Sequence, residues 1–151
     1  MTTIGCAIAL AAARHERSQP RDVVLVLEER IGPVRCGVKI NPSGASFAEF
    51  AAPKLSIPAG VDPGVDDAAK ALGLTVHEIG FDHHLPSLFS AGVTFAMVPV
   101  GSLDALARAK LASSETSASL GATQVFVYAR AEPDAPHSFQ ARMFAPEIGI
   151  P

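Results

Sequence analysis

The stretch from Thr3 to Arg14 constrains the fold most, because it offers no polar side to water. Ile4, Ala7, Ile8, Leu10, Ala11 and Ala12 point in every direction around a helix. A helix that is apolar all round belongs inside a domain, enclosed by other elements. The same run invites reading as an export signal. However, no Lys or Arg precedes it, and its charges, Arg14, His15, Glu16 and Arg17, come after it. It is also too short to cross a bilayer as a helix. A buried helix is the expectation.

The residues beyond Arg17 must supply the enclosing walls, and they read mainly as strands. Asp22 to Glu29 contains Val-Val-Leu-Val-Leu, Ile31-Gly32-Pro33 turns the chain, and Val34 to Ile40 returns it as a hairpin. A short strand is expected around Ser46 to Ala51, then a loop marked by Pro53, Pro58 and Gly60. Asp62 is placed to cap a helix with Pro63 at its first position and Gly73 at its end. Leu74 to Ile79 reads as a strand and Gly80 to Pro86 as a hinge. Val93 to Val100 is a further strand. Ser102 caps a helix carrying Leu103, Leu106, Ala107 and Leu111, and Ser113 to Ser119 reads as a soluble loop. Gln124 to Arg130 and Ser138 to Ala145 are the last two strands. Hairpin-linked strands with a few helices between them predict an α+β fold rather than a repeating βαβ one.

The balance of residues fits a packed domain. Of 151 residues, 48% are apolar and 18% charged, which argues against disorder. With no Trp and eight Phe, the core must rest on Ala, Val, Leu, Ile and Phe. A net charge of -3, with basic and acidic residues well mixed, gives no basic stripe for nucleic acid and disfavours anionic membrane surfaces. Cys6 and Cys36 form neither a CxxC pair nor a disulfide framework, so a reducing cytoplasm is the natural reading.

Candidate chemistry is sparse. His77, Glu78, Asp82, His83 and His84 are the one metal-like group. They lack ligand spacing and read as a solvated segment, so no metal is expected. Asp66 and Asp67 suit the first turn of a helix. Glu147 lies on a turn, and Arg142 alternates with Met143, which leaves a surface ion pair and a ligand contact both open. Cys36 on a strand reads as structural. No phosphate loop, Ser/His/Asp pattern or nucleotide fingerprint is present.

Several segments, in order, resemble the PhzF-like family of cofactor-free isomerases, relatives of diaminopimelate epimerase. Arg142-Met143-Phe144-Ala145-Pro146, followed by Gly149-Ile150, resembles the strand and turn leading into that family's active site. Thr3-Ile4-Gly5-Cys6-Ala7-Ile8-Ala9-Leu10 resembles the start of its first central helix. Ser90-Ala91-Gly92-Val93-Thr94-Phe95-Ala96-Met97-Val98-Pro99-Val100 resembles its Ser-x-Gly-Val-Pro-Phe strand, with Ser102 to Ala109 as the helix after it and Val125 to Tyr128 as the next strand. The resemblance covers nearly the whole chain. It implies a diaminopimelate epimerase-like fold of two lobes, each a barrel-like sheet around a central helix, present here incompletely. Residues 1–85 would be the later part of the first lobe and 86–151 the opening part of the second.

The resemblance further implies a proton shift between carbons of a small, often cyclic, carboxylic acid, without a cofactor. The namesake isomerises a dihydro-hydroxyanthranilate in phenazine synthesis. Such chemistry needs a base and a proton donor within reach of the substrate. The family's catalytic Glu, His and Asp match no position here, so no catalytic residue is assigned and an impaired, truncated isomerase is expected. Substrate-lining roles are implied for Thr3, at a helix start that favours a carboxylate, for Gly92, and for Arg142 with Phe144. Diaminopimelate epimerases use a thiolate near Cys6, yet inside an apolar helix Cys6 reads as buried and inert. The competing reading is a non-catalytic binding or assembly protein whose open strand edges pair with another chain, a homodimer included.

Overall fold

The computed structural model describes residues 3–14, 19–111 and 113–150, with the side chain of Ser114 left aside. Met1, Thr2, Pro151 and the charged His15, Glu16 and Arg17 lie outside the described residues. The chain forms two compact units, Met1–Leu55 and Ser56–Pro151. That division falls before the 85/86 junction expected from the lobes. The reason is local packing: Ile57 and Pro58 pair with a strand of the second unit, and the helix after them sits in its core.

In the first unit, helix α1 (Thr3–Arg14) packs on an antiparallel sheet of β1 (Arg21–Glu29), β2 (Gly32–Ile40) and β3 (Phe47–Phe50), in that order. The β1–β2 register pairs Glu29 with Gly32 across a tight loop, and Gly32 takes φ 114, a value that suits glycine. Leu25, Val34, Cys36, Val38, Ile40 and Ala48 form the inner face, against Ala7 and Ala11. These two alanines sit one turn apart and let the helix approach closely. Full enclosure of α1 is not observed. Ile4 and Leu10 are 40% and 39% exposed, because a single three-stranded sheet covers one side only. Cys6 is correspondingly half-buried rather than buried.

The second unit is a five-stranded sheet ordered β4 (Ile57–Pro58), β5 (Ser87–Ser90), β6 (Thr94–Pro99), β7 (Gln124–Arg130) and β8 (Phe139–Phe144). All pairs are antiparallel except β6 with β7. This parallel pair is joined through α3 (Leu103–Arg108) and α4 (Ser114–Ala118), so one crossover lies within an otherwise hairpin-built α+β fold. Together with α2 (Val65–Leu72), these segments give the sheet a buried side. Leu88, Ala96, Val98, Val125, Val127, Ala129 and Phe144 pack there with Ala68, Leu72, Ala105, Leu106 and Leu120. Alternation along each strand sends the intervening residues to the opposite side.

Several local expectations change. Asp62 does not cap α2; Gly64 holds the cap position, and Asp62 Oδ1 instead accepts a 2.9 Å hydrogen bond from Leu88 N. Residues 74–79 form no strand. Val76–Glu78 is a 3-10 turn, fixed by Glu78 Oε2 accepting from both the amide and the hydroxyl of Thr75 at 2.9 Å. The expected hinge is an ordered turn in which Phe81 and His84 exchange backbone hydrogen bonds. Part of the loop after α3 is α4, capped by Ser113 Oγ, which accepts from Thr116 N. Ser102 caps α3 as expected, its hydroxyl accepting from Ala105 N at 3.0 Å. No helix among the described residues is long and apolar enough to cross a membrane.

Candidate functional site

The side of the second unit's sheet turned away from its helices forms a concavity of about 660 Å³. Ser87 and Phe89 of β5, Phe95 and Met97 of β6, and Phe126 and Tyr128 of β7 line it, with Ser56, Ala91 and Val93 around them. The strands put these side chains together because each is one step out of phase with its buried neighbour. Leu88, Ala96 and Val127, for example, face the helices. A volume of this size is typical of a small-molecule site. The lining offers three hydroxyls, from Ser56, Ser87 and Tyr128, but no carboxylate, imidazole or cation.

One end of the concavity is fixed by an aromatic group. The His84 ring stacks on Phe81 with centroids 4.6 Å apart, and its Nδ1 lies 2.9 Å from the phenolic oxygen of Tyr128. Phe139 contacts the same cluster. Burial pushes the Tyr128 phenol above its ordinary value, so it stays protonated and donates or accepts as a neutral group. Beside it, Arg130 pairs with Asp82 and lies over the Phe81 ring. Asp82 adopts φ 47, a left-handed conformation that Asp tolerates.

The other ionisable groups singled out in the sequence go elsewhere. Glu78 pairs with Arg108, and Arg108 also bonds Asp104 at 2.8 Å. The Glu78 carboxyl is held down to about 2 by the Thr75 amide, the Arg108 guanidinium and the Thr75 hydroxyl. Among the described residues, no three His, Cys, Asp or Glu side chains come together to hold a metal. Cys36 is buried, with its thiol pushed up by that burial and further by the Glu29 carboxylate, a setting for an unreactive thiol.

Of the four residues expected to line a substrate, Thr3 lies in the first unit, and Gly92, Arg142 and Phe144 lie in the second, on different sides of its sheet. Thr3 opens α1 in the first unit and donates its hydroxyl to Glu29 Oε1 at 2.8 Å. Gly92 lies in the β5–β6 hairpin with φ 120, between Ala91 and Val93, and so belongs to the rim of the concavity. Arg142 and Phe144 are on the opposite side of the sheet. Phe144 is 2% exposed and is a core residue, not a lining one. Arg142 Nη1 lies 2.9 Å from the carbonyls of Leu106, Ala107 and Ala109 at the end of α3, with the guanidinium 5.0 Å from the Phe144 ring. Its charge is spent on the helix terminus. Sequence reasoning gave Phe126 and Tyr128 a strand but no lining role, and considered His84 only within the metal-like group. The alternation along Gln124–Arg130 held the signal for the first two, whereas His84 is brought to Tyr128 only by the tertiary fold.

Comparison with known proteins places these features. The sequence model of phenazine biosynthesis-like proteins (PhzC-PhzF) matches residues 2–151. A protein of Mesorhizobium japonicum described as an uncharacterized isomerase is 37% identical over 150 residues, covering 95% of this chain and 48% of its own. The crystal structure of a Bacillus anthracis phenazine biosynthesis protein of the PhzF family superposes with a TM-score of 0.68 at 20% identity. That match covers 95% of this chain and 47% of the other. The chain thus spans about half the length of the relatives it matches.

Proposed function

The chain belongs to the PhzC-PhzF family of phenazine biosynthesis-like proteins, and from that membership we propose that it carries the frame of a cofactor-independent isomerase. The reaction is a proton shift between carbons of a small carboxylic acid, cyclic acids included, within a biosynthetic route in the cytoplasm. As these 151 residues alone, the chain turns over little or no substrate. The family match along nearly the whole chain supports the isomerase reading, as does the isomerase description of the Mesorhizobium relative.

The observation that carries the second half of the proposal is chemical. Moving a proton between carbons needs a base that accepts it and an acid that returns it, both within hydrogen-bond reach. The concavity has no carboxylate or imidazole in its lining, and the Tyr128 phenol is held protonated by burial. Glu78, Asp82 and Asp104 are each engaged by an arginine. A lining without a base and an acid of its own can hold a substrate without exchanging its protons.

The test is solvent-deuterium incorporation, followed by proton NMR, with a dihydro-hydroxyanthranilate as probe. The expected result is exchange at the background rate with this chain alone. Exchange should appear when the non-matching half of the Mesorhizobium relative is co-expressed with it. Turnover at enzymatic rates by the 151 residues alone would overturn the impairment. The assembly reading is favoured by one specific observation, the apolar side of the second unit's sheet.

A further inference from the structure

We infer that His84 and Tyr128 form a pH switch at the end of the concavity: protonating the imidazole reverses their hydrogen bond and turns the phenol proton away from His84, toward the concavity. The inference goes beyond the isomerase reading and does not draw on it.

Nδ1 of His84 and the phenolic oxygen of Tyr128 lie 2.9 Å apart, so a single proton lies between them. Neither side chain makes another hydrogen bond among the described residues, and each therefore fixes where the other holds its proton. Burial keeps the Tyr128 phenol protonated. While the imidazole is neutral, its bare nitrogen is the better acceptor of the two, because imidazoles take up protons near neutral pH and phenol oxygens do not. The phenol thus donates to Nδ1, and the ring carries its own hydrogen on Nε2.

A protonated imidazole has no acceptor left, since both of its nitrogens carry hydrogen. Nδ1 must then donate, and the phenol oxygen becomes the acceptor. A phenolic O–H lies in the plane of its ring, so a hydrogen that leaves Nδ1 takes the opposite in-plane position. Tyr128 lines the concavity, where no other lining residue is ionisable. Protonating His84 therefore gives that end of the concavity a free hydroxyl donor beside a positive charge. Neutral His84 ties the donor up.

The surroundings hold the ring through this change. His84 stacks on Phe81 with centroids 4.6 Å apart, Tyr128 and Phe139 pack around it, and its backbone exchanges hydrogen bonds with that of Phe81. The ionisable groups around it are Asp82 and His83 on its own turn, and Tyr128 and Arg130 on β7. Asp82 and Arg130 pair with each other, which offsets their charges, and His83 is exposed. The β8 strand meets the ring through the uncharged Phe139.

The chain has one tyrosine and no tryptophan, so tyrosine emission reports Tyr128 alone. The test is a titration of the full chain from about pH 8 to 5, with isotope-labelled imidazoles followed by long-range proton–nitrogen NMR. The His84 signals are those lost in His84→Gln. At the upper end they should show Nδ1 bare and Nε2 protonated, and at the lower end both protonated. Tyrosine emission should change in one step with the same midpoint, and His84→Gln should abolish that step. Tyr128→Phe keeps the ring but removes the donor, so the neutral imidazole should then shift to a mixture of both tautomers. Far-UV circular dichroism confirms that each variant folds. In the unmodified chain, a neutral imidazole with its proton on Nδ1 would overturn the inference, as would a single charge state across the range. Emission that does not follow His84, or a tautomer unmoved by Tyr128→Phe, would overturn it as well.

Discussion

The imidazole Nδ1 of His84 lies 2.9 Å from the phenolic oxygen of Tyr128, joining a turn to a strand 44 positions away. Tyr128 is the only tyrosine in the chain, so ultraviolet titration reads it alone. Because burial raises its folded-state value above the ordinary 10, the folded chain keeps a proton that the unfolded chain has lost. Stability is therefore whole below about pH 10 and falls as pH rises beyond it. Tyr128→Phe should remove that decline and cost about 1 kcal/mol at neutral pH from the lost hydrogen bond. Urea denaturation at about pH 7 and again above about pH 10 measures both.

Glu78 gives the opposite pH signature. Its carboxyl is lowered from 4.5 to about 2 by the Thr75 amide, Arg108 and the Thr75 hydroxyl. Its contribution is present above pH 4.5 and is lost as pH falls toward 2. Glu78→Gln should flatten the acid side of the stability profile across that window while leaving the alkaline side unchanged. Thermal unfolding midpoints between about pH 2 and 6 provide the check.

How much of this was legible in the sequence depends on how near each residue's partners lie along the chain. The strands Arg21–Glu29, Gly32–Ile40 and Gln124–Arg130 stand near their expected places, because period-two alternation and turn residues are local signals. The cap at Ser102 was equally local. Asp62 has the chemistry of a cap, but a strand amide 26 residues away takes its carboxylate. Thr75 and Glu78 turned a strand-like run into a 3-10 turn through side-chain bonds that hydropathy does not register. For the site, alternation separated Arg142 and Phe144 from Met143 but could not say which side the helices cover. The crossover from β6 to β7 decides that, and it places Arg142 under α3, away from the concavity.

Gly121 and Gly149 share nearly the same backbone, φ 77 and 79, but differ in their surroundings. A Cβ on Gly149 meets nothing within 4 Å, whereas one on Gly121 comes within 2.8 Å of Leu88 Cδ1. Leu88 is itself buried, so making room disturbs the core. Gly149→Ala should cost about 1 kcal/mol from the left-handed backbone alone. Gly121→Ala should cost about 2–4 kcal/mol by adding overpacking. Side-by-side urea titrations separate the two contributions.

Arg142 separates a structural role from a substrate role. One of its nitrogens faces three carbonyl oxygens at the end of α3, and its charge also lies over the Phe144 ring. Hydrogen bonds from a charged donor at a helix C-terminus are stronger than neutral ones. Arg142→Ala should therefore destabilise the chain by about 1–3 kcal/mol. Arg142→Lys should recover part of that, since an ammonium still reaches carbonyls but lacks the planar ring contact. Hydrogen exchange should show the loss concentrated in 103–111 and 139–144. If Arg142→Ala left stability and exchange unchanged and altered only the binding of a small acid, the guanidinium would be a ligand contact rather than the clasp between β8 and α3.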